Sequence, residues 1–168
     1  MGNFEQEKGA TPSQGQNTLK ESASYLVFRV GGELYGCPLL QVREVVRTPV
    51  IKPLPESAKH LKGIANLRGY VLSIVDLRSR LGMEIRDKIG GLVFVVEAVV
   101  ESKDVRIGVM VDAVESVIEL SQSEIDVPLN ISTKADKKFF IGVAKSQESL
   151  INLLNLEILI DEMVATRY

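Results

Sequence analysis

The sequence predicts a mainly β protein, two small β-barrels sharing a hydrophobic seam, with short helices between strands and one closing helix. Three observations carry this. The 168 residues are 45% hydrophobic and 25% charged, the balance of an ordinary globular chain. Short runs rich in β-branched and aromatic residues, bounded by Gly, Pro and Asn, recur along it, which is the pattern of strands and turns. The order of these runs also repeats, so the chain reads as two copies of one unit. One copy alone is near the lower size limit for a stable core. Joining two and burying the seam removes that problem and leaves a groove between the halves, where ligands or partner helices bind.

Residues 1–23 are rich in Gly, Gln, Ser, Thr, Glu and Lys, and their few apolar residues show no period. Such a segment cannot bury enough apolar surface to offset ordering, so it is expected to be a disordered tail, with residues 24–168 forming the domain. Tyr25–Val30 is strand-like, Gly31-Gly32 marks a turn, and Glu33–Pro38 is the return strand of a hairpin. Leu39, Val42, Val45 and Val46 recur at helical spacing among polar residues and predict a short amphipathic helix ending at Arg47. Pro49, Pro53 and Pro55 make residues 48–62 an extended loop. Gly63–Ala65 and Tyr70–Val75 are strands flanking a tight Asn66-Leu67-Arg68-Gly69 turn. Asp76 opens a helical turn that Gly82 closes, and the halves meet near residues 82–92.

In the second half, Leu92–Val100 and Val105–Val111 are strands joined by the polar turn Glu101–Asp104. Asp112–Ile118 is expected to be another short helix, and residues 119–138 a polar link containing Pro128. Phe139–Ala144 and Leu150–Leu154 are the last strands, and Asn155 opens a helix running to the region of Thr166.

The repeat is read residue by residue, at low identity, with chance agreement of apolar patterns as the alternative. Gly36 matches Gly108 at an offset of 72, which places Val42 on Val114, Val45 on Val117 and Val46 on Ile118. Gly63 matches Gly142 at an offset of 79, which places Ile74 on Leu153, Val75 on Leu154 and Asp76 on Asn155. A feature present in both copies is structural. Asp76 and Asn155 are therefore helix N-caps, whose side-chain oxygens accept from orphan backbone N–H groups. A feature present in one copy is a functional candidate. Glu44 falls on Ser116 and Arg68 on Gln147, so the first copy holds charge where the second does not.

Composition excludes several functions. Lys plus Arg number 20 against 22 Asp plus Glu, for a net charge of −2. That disfavours a general nucleic-acid binder, which needs basic excess, and the absence of Trp leaves few stacking platforms. The single Cys37 excludes an intrachain disulfide and multi-thiolate metal sites, and reads as a small buried residue. His60 is the single histidine and reads as a surface loop residue. The sequence holds no phosphate loop, dinucleotide fingerprint, zinc-protease helix or nucleophile elbow. Asp76, Asp112 and Glu44 could form an acidic site, but the first two stand at helix starts. No run reaches the length of a membrane span, and the N-terminus lacks a signal pattern. The expectation is a cytoplasmic, non-enzymatic protein without cofactor or metal, and without insertion into a membrane.

Five segments in order resemble the motifs of the CheW family of chemotaxis coupling proteins. They are Phe28–Gly36, Val42-Arg43-Glu44-Val45, Lys62–Gly69 with its Asn-Leu-Arg-Gly turn, Ile74–Arg78, and Gly108–Val114. The resemblance spans residues 25–162. It implies two SH3-like five-stranded barrels and an adaptor that links chemoreceptor cytoplasmic tips to the regulatory domain of the histidine kinase CheA, monomeric when free. It places partner contact on Glu44 and Arg68 and receptor contact on Val42; Leu67, beside Arg68, joins them as a partner-binding candidate, with packed core as its alternative reading. An adaptor of a related non-flagellar chemosensory pathway is the alternative. The chain departs from the family pattern at Arg43, where Gln is usual, at Ser73, where Pro is usual, at Asn155, where Asp is usual, and in its long tail.

Overall fold

The structure, a computed structural model, describes residues 21–84, 91–127 and 137–165. The first repeat supplies β1 (Ser22–Val30), β2 (Glu33–Pro38), β3 (Glu44–Arg47), β4 (Leu61–Leu67), β5 (Tyr70–Asp76) and the one-turn helix α1 (Leu77–Arg80). The second supplies β6 (Leu92–Val100), β7 (Lys103–Val111), β8 (Ala113–Ser121), β9 (Ile125–Asp126), β10 (Phe140–Ser146), β11 (Ser149–Leu154) and α2 (Leu156–Ala165). The chain is mainly β and forms two SH3-like barrels, one on a six-stranded sheet in the order β8-β1-β2-β11-β10-β9 and one on a five-stranded sheet in the order β3-β6-β7-β5-β4.

The sheets interleave the repeats. The β1–β2 hairpin of the first repeat is flanked by β8 and β11 of the second. The β6–β7 hairpin of the second is flanked by β3 and β5 of the first. The registers match the sequence offsets: Gly36 pairs with Leu153 in parallel, and Gly108 with Ile74. Even the sixth strand has a counterpart. β9 pairs with β10 through Asp126 and Val143, as Lys52 forms a single bridge with Ile64.

Two expected helices are strands. Only Leu39–Gln41 turns, as one 3-10 turn, and Glu44–Arg47 is β3. The expected helix at Asp112–Ile118 is the first part of β8. The cause is the same in both. Val and Ile lose rotamer freedom in a helix and gain packing in a strand, and each segment completes the free edge of the other repeat's hairpin. A four-position apolar pattern is too short to outweigh that. The expected link 119–138 opens with regular structure, since β8 runs to Ser121 and β9 follows. Its residues 128–136 lie outside the described residues, as do residues 1–20 of the tail. β1 opens at Ser22, ahead of the expected Ser24.

The seam is the largest core cluster. Phe28 and Phe94, both fully buried, meet edge to face at 5.0 Å. Leu156, Leu159, Ile160 and Met163 of α2 fill the same cluster from above. Each barrel has its own smaller core, around Tyr25, Val27 and Leu153 in one and Leu72, Ile74 and Val95 in the other. Burying each of these aliphatic or aromatic side chains contributes about 1.5–3 kcal/mol.

Asp76 does cap α1, accepting from the Arg78 backbone N–H at 3.0 Å. It does more than the cap reading gave it. Its carboxylate also takes the Arg78 guanidinium, with Nη2 at 2.8 Å, and both side chains are buried. Asn155 caps α2 in the same place, with Oδ1 3.4 Å from the Ile158 N–H. His60 is not on the surface. It is 8% exposed, with Nε2 3.1 Å from the carbonyl of Met163 near the end of α2. The reason is that β4 starts directly after it and Met163 of α2 lies against its ring. Cys37 is buried, and burial pushes its thiol up to about 12, which makes it a packing residue.

Candidate partner-binding surface

Arg68 and Glu44 come together between the β4–β5 turn and the start of β3. Arg68 lies in the two-residue turn between β4 and β5, where Leu67 pairs with Tyr70. Its φ is 48° and that of Gly69 is 91°, the left-handed pair of a type I′ hairpin turn. Asn66 steadies the turn, its Oδ1 accepting from the Gly69 N–H at 3.1 Å. Gln147 in the second repeat has the same backbone, with φ 52°. The left-handed residue therefore belongs to the architecture, whereas the guanidinium belongs to the first repeat alone.

Glu44 opens the edge strand β3, opposite Val95 of β6. One carboxylate oxygen, Oε2, accepts from Arg68 Nη2. The other, Oε1, accepts from the Tyr70 hydroxyl at 2.9 Å. The Tyr70 bond holds the Glu44 carboxyl below the usual carboxylate range, partial burial opposes this, and Arg68 adds to it. The two partners differ in exposure: the Arg68 side chain is 64% exposed and that of Glu44 27%. Arg68 thus faces outward from a carboxylate that is held from beneath.

The network continues across the sheet. The Arg106 guanidinium carbon lies 4.4 Å from the centre of the Tyr70 ring. Arg106 Nε donates to Glu97 Oε1 at 3.2 Å, and Arg43 Nε stands 3.5 Å from the same oxygen. Tyr70, Arg106 and Glu97 are functional candidates that the sequence reading missed. The repeat contained the signal for two of them. By the same offsets Tyr70 falls on Ser149 and Arg106 on Leu34, the asymmetry that singled out Glu44 and Arg68.

Val42 and Leu67 lie apart from the ion pair. Leu67 is half-buried and packs on the barrel core, so it anchors the turn from inside. Val42 is half-buried against the seam and lines a groove of about 590 Å³ between the Leu39–Arg43 segment, β6 and α2. Leu40, on the rim of this groove, is fully exposed. Arg43 and Glu97 border the groove too, so the charged network and the groove share an edge. Among the described residues, no cluster of three or more His, Cys, Asp or Glu is placed to hold a metal ion. No helix among them is long and apolar enough to cross a membrane.

Fold and site together define a class: a two-barrel β protein whose distinctive surface is a charge-paired patch beside an apolar groove. Residues 24–164 match the family described as CheW-like domain. The chain belongs to the CheW-like family. It is 33% identical over 137 residues to the probable chemotaxis protein CheW of Rhizobium etli, covering 82% of this chain and 86% of that one. It is 27% identical over 142 residues to chemotaxis protein CheW of Treponema pallidum, 81% of each. Among solved structures it matches the scaffolding protein TtCheW of Thermoanaerobacter tengcongensis, with a TM-score of 0.69, 31% identity, and coverage of 82% and 91%. A shorter stretch of 70 residues is 39% identical to protein PilI of Pseudomonas aeruginosa, 42% of this chain and 39% of that one.

Proposed function

We propose that this chain is a non-catalytic cytoplasmic adaptor that couples chemoreceptor cytoplasmic tips to the regulatory domain of the histidine kinase CheA. The observation that carries this is the Glu44–Arg68 pair, anchored by Tyr70 and absent from the equivalent place in the second repeat. A fold that needed the pair for its own stability would keep it in both copies. Family membership and the chemotaxis relatives support the same reading. In it, Arg68 and Glu44 make charge-assisted contacts to a partner, and Leu67 fixes the turn that carries Arg68. Val42 and Leu40 offer the groove to an amphipathic receptor helix, the helix-in-groove mode of recognition. The free protein is a monomer that joins receptor–kinase arrays at the inner face of the membrane.

The PilI likeness over 70 residues supports a second reading, an adaptor of a related chemosensory pathway. The two readings share the surface and differ in which receptors occupy it.

The test is equilibrium binding of the purified protein to the CheA regulatory domain and to a receptor cytoplasmic fragment, measured separately. Glu44→Ala and Arg68→Ala should each weaken binding to at least one partner while melting temperatures stay close to the parent's. A rim contact is worth about 1 kcal/mol and a desolvated one about 2–5 kcal/mol. Full affinity of both variants for both partners would show that the surface is wrong.

A further inference from the structure

We infer that Tyr70, clamped by Arg106, is a positioning residue that fixes the Glu44 carboxylate so that Arg68 is presented to the partner in a preset orientation. This rests on the adaptor reading above and adds to it the means by which the site is kept ready.

A lone ion pair at a turn tip does not fix its own geometry. Arg68 is a long side chain, mostly exposed, and holding it against one carboxylate costs rotamer entropy that the weak solvated attraction scarcely offsets. Tyr70 supplies what is missing. Its ring packs against the core of the five-stranded barrel, and its side chain has few rotatable bonds. Its hydroxyl donates at 2.9 Å to the oxygen of Glu44 that Arg68 does not use. A phenol–carboxylate bond of this kind is charge-assisted and directional.

Arg106 then holds the ring itself. Its guanidinium covers the Tyr70 face at 4.4 Å, and Glu97 holds the guanidinium at 3.2 Å across the β6–β7 pair. The result runs from Glu97 of β6 through Arg106 of β7 and Tyr70 of β5 to Glu44 of β3, four strands of one sheet. Only Nη2 of Arg68 meets Glu44, so the other N–H groups of its guanidinium fork remain directed outward among the described residues. A partner carboxylate or backbone carbonyl is the group that fits them. The second repeat provides an internal comparison. Ser149 and Leu34 stand where Tyr70 and Arg106 stand, and Ser116 and Gln147 stand where the pair stands. Support and supported groups are lost together.

The experiment compares Tyr70→Phe and Arg106→Leu with the parent in three measurements: the Glu44 carboxyl titration by NMR, affinity for each partner, and the melting temperature. Tyr70→Phe keeps the ring and removes the hydroxyl. It should raise the Glu44 pKa towards the ordinary value, weaken binding by at least about threefold, and leave melting nearly unchanged. Arg106→Leu installs the residue of the second repeat and should act in the same direction. An unmoved Glu44 pKa in Tyr70→Phe overturns the inference. So does a raised pKa with parental affinity, provided Glu44→Ala binds weakly, because the positioning would then serve nothing. If Glu44→Ala itself binds like the parent, the partner surface falls, and this inference with it, whatever the titration shows.

Discussion

Gly36 and Gly108, 72 residues apart in the chain, occupy the same point of two different sheets. A Cβ on Gly36 would lie 2.8 Å from Leu153 Cδ2, and one on Gly108 would lie 2.5 Å from Ile74 Cδ1. Leu153 and Ile74 are themselves equivalent. Each glycine lets a strand of one repeat pack closely on a strand of the other. Gly36→Ala and Gly108→Ala should therefore destabilise by similar amounts, about 1–3 kcal/mol each, through overpacking. Urea denaturation checks this, and a large cost at one position with none at the other would contradict the equivalence.

Asp76→Ala should act through stability. Loss of the cap alone costs about 0.5–2 kcal/mol. The structure raises this figure, because Arg78 would be left buried without its carboxylate. Breaking a buried pair from one side costs about 3–5 kcal/mol. Denaturation midpoints should fall accordingly, and partner binding should survive wherever the variant is folded.

Arg68→Asn should separate stability from binding. Asn tolerates the left-handed backbone at this turn better than Arg, and Asn-Gly is a favoured type I′ pair. Melting should stay level or rise, while affinity for the partner falls as in Arg68→Ala. A matching fall in melting temperature would mean that the guanidinium serves the fold.

Two groups contribute to the acid side of the stability profile. Burial holds His60 below its ordinary value of 6.5, the Met163 carbonyl opposes this, and Arg80 pushes the same way as burial. The unfolded chain therefore takes up this proton first, and stability declines as the pH falls below 6.5. Glu44 is also held below its ordinary value of 4.5, so its contribution is complete above 4.5 and is lost as the pH falls through its folded value. His60→Gln should flatten the profile around and just below 6.5 and leave the lower limb in place. Denaturation at a series of pH values reads both limbs.

The barrels were legible because the repeat and the Gly-bounded β-branched runs constrain them jointly. The segments after each hairpin were not. At Val42–Val46 and Val114–Ile118 a helical spacing and a strand composition coincide, and only pairing with β6 or β1 decides between them. No local pattern encodes that partner, because it lies in the other repeat. His60 is illegible for the same reason, since its partner, the Met163 carbonyl, lies 103 residues away. Glu44 and Arg68 were legible by asymmetry between copies. Tyr70 passed the same comparison but looks like an ordinary strand residue until its hydroxyl is seen on Glu44.

Reversing the charges of Glu44 and Arg68 shows whether they form a surface for a partner. The double variant Glu44→Arg/Arg68→Glu retains an opposite-charge pair across β3 and the β4–β5 turn but gives up the Tyr70 bond and sets a cation near Arg106, so its melting temperature is measured alongside and affinity is compared where it is folded. Each charge is then presented to the partner with the wrong sign, so affinity for the CheA regulatory domain or the receptor fragment should fall at least as far as in either single alanine variant. Parental affinity in the folded double variant would contradict the account, because it would show that the pair is needed only for its own attraction.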